Sequence, residues 1–118
     1  MATITATGHL AAPPELKFTQ DGAPRATFRL AETSRGKNRQ TQDWEDTGTI
    51  WLSCVVFGAR AEAFVETVGK GSLVTVSGRL SARDYTTDQG EMRTSWDVVC
   101  DVAGVVPKPT SRVESSPF

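Results

Sequence analysis

Between Thr49 and Gly58 the chain reads TIWLSCVVFG, and its alternation admits few folds. In a strand, successive side chains point to opposite faces. Ile50, Leu52, Cys54 and Val56 therefore form one continuous apolar row suited to a core. Trp51, Ser53, Val55 and Phe57 form the other row, where a half-exposed strand is ordinarily polar. Two large aromatics on that side need either a ligand or a second protein surface.

The same period of two recurs along the chain. Residues 3–10 place Ile4, Ala6, Gly8 and Leu10 on one side. A hairpin-like unit turns at Asp21-Gly22, a dipeptide that suits a tight turn. Its second arm faces Ala26, Phe28 and Leu30 inward and Arg25, Thr27 and Arg29 outward. In SLVTVSGRLSARDY, Val74, Val76, Gly78 and Leu80 oppose Thr75, Ser77, Arg79, Ser81, Arg83 and Tyr85. After a turn at TTDQG, Trp96, Val98, Cys100 and Val102 share one side of a last strand. One segment breaks the rhythm. Ala61, Phe64, Val65 and Val68 are spaced for a helix of about three turns, with Gly69 as its C-terminal cap.

The order is three strands, a helix, then two strands: an all-β chain with one short helix. Five strands with a helix between the third and fourth is the layout of an OB-fold, a small Greek-key barrel. Residues 1–106 form that domain, and residues 107–118, with two prolines among small polar residues near their start, read as a flexible tail. Residues 33–48 are too polar to bury and form a long loop or a protruding hairpin tip, a kind of segment that is more often functional than filler.

Enzyme readings find no support. The single His9 has no nucleophile paired with it by spacing, and Cys54 and Cys100 make no metal-like set with it. Gly69-Lys70-Gly71-Ser72 lacks the upstream glycine of a phosphate-binding loop and reads as a turn. No cofactor is expected. Both cysteines lie on apolar faces, as buried free thiols of a reducing compartment do. No apolar run approaches the ~20 residues of a membrane span. The N-terminus has no basic cluster ahead of an apolar stretch, so a cytoplasmic protein is expected.

A net charge of −1 hides an uneven distribution. From Arg25 to Gln42 there are five basic residues (Arg25, Arg29, Arg35, Lys37, Arg39) against one acid, Glu32. Arg79 and Arg83 share the outward row of the fourth strand with Tyr85, and Arg93 lies across the turn. OB-folds that hold single strands pair aromatic platforms with a cationic groove. Trp51 and Phe57, six residues apart, would be separated by about 20 Å and would hold different bases. The same aromatics could instead be buried against another subunit. Trp96, in register with Val98 and Cys100, suits a core or an interface. Trp44 could be a further stacking residue or a lid over the barrel edge.

Several segments carry a family resemblance: GHLAAPPELKF, GAPRATFRLA, WLSCVVFGARAEAFVETVGKGSLVTVSGRL and RDYTTDQGEMRTSWDVV. In these the chain resembles the bacterial single-stranded-DNA-binding proteins over residues 1 to about 106. The resemblance implies a homotetramer of OB domains that wraps single-stranded DNA in replication, recombination and repair. Trp51 and Phe57 match two stacking positions of the family, and Tyr85 a third. The fourth position, after the second strand, reads Thr33-Ser34-Arg35-Gly36 and has no aromatic. Family members usually end in an acidic tip with Ile-Pro-Phe that docks on replication and repair enzymes. Here the end is VESSPF, so Glu114, Pro117 and Phe118 would carry weaker docking, or none. These departures suggest a short-tailed accessory paralogue. A protein-interaction or assembly module, or a binder of single-stranded RNA, are the alternatives.

Overall fold

A strand with one apolar row can bury it only by facing another such row, and five strands here do so by closing on themselves. A computed structural model describes residues 2–107, without the side chains of Arg35 and Asp46. The elements are β1 (Ala2–Leu10), β2 (Glu15–Phe18), β3 (Pro24–Lys37), β4 (Trp44–Phe57), α1 (Ala59–Thr67), β5 (Leu73–Thr86) and β6 (Met92–Val105). β1 pairs with β5, β5 with β6, β6 with β4 in parallel, and β4 with β3. β3 returns to β1 through His9↔Ala31 and Leu10↔Leu30, which closes a five-stranded barrel. This is the expected OB arrangement, with α1 between the third and fourth barrel strands. The first arm of the early hairpin, β2, adds an outer strand on β3. No described helix is long and apolar enough to cross a membrane.

The inward rows meet as the alternation requires. Leu10, Leu30, Leu52, Val74, Val76 and Val98 are the largest fully buried side chains. α1 closes the barrel by inserting Phe64, whose ring lies 4.7 Å from that of Phe28, with Ala61 beside it. Removing polar groups from water is costly, and no described polar or charged residue is buried. Cys54 and Cys100 are both buried and unbridged. Contact with the Cys100 thiol, then burial, holds the proton on Cys54 far above its ordinary range.

Two close approaches make the closure possible. A Cβ on Gly8 would run into the Ala31 carbonyl, and one on Gly78 into the carbonyl of Val99. The second approach lies at a bulge. Ser77 pairs with Val102 but Gly78 with Cys100, so Asp101 is an extra residue in β6. Its carbonyl accepts a hydrogen bond from Arg60 of α1 at 2.9 Å.

The structure changes three details of the sequence reading and decides between two alternatives in a fourth. An extra residue reverses the alternation, so Val102 is exposed and Ala103 packs on the core in its place. Ile50 is also exposed, because at that height β4 has left the barrel. The expected cap Gly69 has no left-handed backbone. The helix ends as Val68 turns extended and into the core, and the positive φ falls at Gly71 (+86°) in the following turn. Residues 33–48 are a hairpin arm, since β3 and β4 stay paired from Thr33↔Thr49 to Lys37↔Trp44. At its tip the Asn38 side-chain oxygen accepts from the backbone N–H groups of Gln40 and Thr41.

Candidate nucleic-acid interface

The outward row of β4 lies between outward rows of β3 and β6, with β5 beyond β6. That order decides which basic residues can join the aromatics. Ala31 is the partner of Trp51 in register, and Arg29 that of Ser53. A small residue opposite the indole leaves its ring uncovered, and the Arg29 guanidinium lies over it at 4.9 Å from the centroid. A cation held on an aromatic face is attracted by the ring quadrupole, by ~0.5–1 kcal/mol at exposed sites. Arg83 makes a looser contact of the same kind with Tyr85, at 5.8 Å.

Two adjoining depressions mark this face. The first, about 540 Å³, has Arg29, Trp51, Arg83, Tyr85, Arg93 and Trp96 on its walls. The second, about 690 Å³, has Arg25, Arg29, Phe57 and Arg83, with Asp97 among them. Arg29, Ser53 and Arg83 border both, so the two run on as one groove across the sheet. Trp51 and Phe57 are each about half exposed and stand in different parts of it. The groove therefore offers separate apolar platforms with guanidinium groups between them. Such a surface suits a chain that alternates flat π-faces with anionic links.

Not every expected residue arrives there. Trp44, Lys37 and Arg39 sit on the hairpin arm and tip, outside both depressions. Trp44 is thus placed across from Lys37, at the arm's far end, and is not a lid over the barrel edge. Arg79 pairs in register with Thr3 and Val99, on a flank beyond the groove. The Arg35 side chain lies outside the described residues, as do Glu114, Pro117 and Phe118. No aromatic occupies Thr33 or Ser34.

The groove also contains residues that the alternation did not indicate. Of the two places expected for Trp96, a core or an interface, the core is excluded: the residue is 48% exposed and on the groove wall. It pairs with Ala82, ahead of Val98, the first buried side chain of β6. Asp97 accepts hydrogen bonds from Arg83 Nε (3.1 Å) and Ser95 Oγ (2.7 Å). Alternation carried no signal for Trp96, which shares its parity with the buried Val98 and Cys100. Asp97 stands among the arginines of the second depression, which Glu15 also borders.

Residues 1–106 match the single-strand binding protein family. The chain belongs to that family. It is 45% identical over 101 residues to a single-stranded DNA-binding protein of Corynebacterium glutamicum, covering 86% of this chain and 45% of that one. It is 43% identical over 102 residues to one from Mycobacterium tuberculosis, covering 86% and 62%. The chain thus spans about half to three-fifths of the length of these relatives. Among solved structures, the small single-stranded DNA-binding protein from Streptomyces coelicolor superposes with a TM-score of 0.80 at 30% identity, covering 89% of this chain and 94% of that one. Family membership and fold agree with the barrel and its outward groove.

Proposed function

We propose that the protein binds single-stranded DNA with little sequence preference. Bases stack on Trp51, Phe57 and Tyr85, with Trp96 as an added platform, and Arg25, Arg29, Arg83 and Arg93 hold the phosphates. The observation that carries this reading is the Arg29 guanidinium over Trp51 in a groove that continues to Phe57. The names of the relatives point to the same ligand. Trp44, Lys37, Arg35 and Arg39 serve a longer strand that reaches the hairpin arm, and Arg79 a strand that leaves by the flank.

At the level of the whole protein, residues 1–106 act as the binding domain in a cytoplasmic homotetramer that protects single strands in replication, recombination or repair. Residues 107–118 form a tail whose Glu114, Pro117 and Phe118 dock on enzymes of those processes.

A titration with oligo-dT tests the central claim. Tryptophan fluorescence falls on binding, and affinity drops steeply with salt as counterions are released. Trp51→Ala and Phe57→Ala each weaken the complex by ~1–3 kcal/mol, the worth of one stacked base. Oligo-dT that neither binds nor quenches at low salt would overturn the proposal. Equal affinity for matched RNA would widen it to single strands of either sugar.

A further inference from the structure

Asp97 is an acid set into a cationic groove. On β6 it pairs in register with Ser53 of β4 on one side and Ser81 of β5 on the other, which puts it in the middle of the sheet. Its carboxylate holds Arg83 Nε at 3.1 Å and is fixed from behind by the Ser95 hydroxyl at 2.7 Å. The carboxylate side chain is 29% exposed, and the arginine 64%. Arg25, Arg29 and Phe57 share the depression with this pair.

Most of the affinity of a protein for a nucleic-acid backbone, and nearly all its salt dependence, comes from counterions released as cations meet phosphates. A guanidinium already paired with a carboxylate has lost that advantage. It offers a phosphate fewer free N–H groups, and the carboxylate beside it repels the incoming anion. Partly buried charges are also screened less by salt than fully exposed ones.

We propose that Asp97 is an internal competitor for nucleic-acid phosphate at Arg83, which sets the affinity and salt sensitivity of the groove below what its arginines alone would give. The proposal rests on the single-strand reading above. It makes Asp97 a tuning residue: a strand can bind, but the Arg83 contact is exchanged and not added.

Oligo-dT titrations over a salt series, on the full chain, decide it. Asp97→Asn raises affinity several-fold at low salt and steepens the slope of log K against log salt by about 0.7, the value of one more phosphate contact on a single strand. Adding Arg83→Gln to that variant removes the gain. Asp97→Thr, a β-branched residue at home in a strand, gives the same result should the asparagine variant fold poorly. Binding that is unchanged or weaker in both Asp97 variants, with the wild-type slope, overturns the proposal and makes Asp97 a positioning residue that aims Arg83 at Tyr85. Failure of the wild-type protein to bind oligo-dT at low salt would remove the single-strand reading, and this proposal with it.

Discussion

Trp96 illustrates what one side chain's parity can and cannot say. Alternation puts it in the row of Val98 and Cys100, and both of those are buried. Its exposure comes from height along the barrel and not from its face. Opposite Ala82, β6 has not yet reached the level at which facing strands cover an inward side chain. In the proposed reading, an exposed indole beside Trp51 and Tyr85 adds a stacking surface. Trp96→Ala is therefore expected to lower oligo-dT affinity by ~1–3 kcal/mol, read by fluorescence anisotropy, while leaving the unfolding midpoint nearly unchanged. A core tryptophan would behave in the opposite way, losing stability by ~3–5 kcal/mol. Among the basic residues, Arg29 was legible as outward on the second strand. Which of the eight expected phosphate contacts meet an aromatic was not, because that depends on cross-strand register.

The strands depend on features that cost little sequence to encode. The Asp101 bulge displaces Val102 from the inner row, brings Ala103 in, and gives Arg60 of α1 a carbonyl to bind. Gly78 opposite it has no room for a methyl group against the Val99 carbonyl. Gly78→Ala should destabilise the barrel by ~1–3 kcal/mol or more, as overpacking does, seen as a lower denaturant midpoint with an unchanged slope. The helix is held by its buried face more than by its ends, since Gly58 provides no side-chain cap. Phe64 stacks on Phe28 in the core. Phe64→Ala is expected to cost ~3–5 kcal/mol by the same measurement and to release α1 from the barrel. The helix itself was legible from spacing. Its end was not, because Val68 leaves the helix to reach the core, which is a tertiary demand.

For the molecule as a whole, charge matters by placement. The net charge of −1 gives no hint of an anionic partner, yet Arg25, Arg29, Arg83 and Arg93 gather along one groove. The β3–β4 hairpin arm continues beyond the groove, so a strand bound in the groove could run on along it. Phe18, Val102 and Val105 remain exposed away from the groove. Apolar surface of that kind fits contact between copies of the chain. Light scattering on the purified protein is expected to give four times the chain mass of 12.7 kDa; a monomer would sink the tetramer proposal.

Local pattern was enough for the strand order, the single helix, the inward rows around Leu30, Leu52 and Val76, and the outward aromatics. Those features follow from a period of two or of 3.6 and the need to remove apolar side chains from water. Barrel closure, the bulge at Asp101, the exposure of Ile50 and Trp96, and the pairing of Asp97 with Arg83 required the folded chain. Each depends on where one strand lies along its neighbour, and register is set jointly by every strand in the barrel. The stretch from Thr49 to Gly58 therefore announced that something must cover Trp51 and Phe57. Only its neighbours in space reveal a groove lined by arginines, with the Asp97 carboxylate paired to Arg83 inside it.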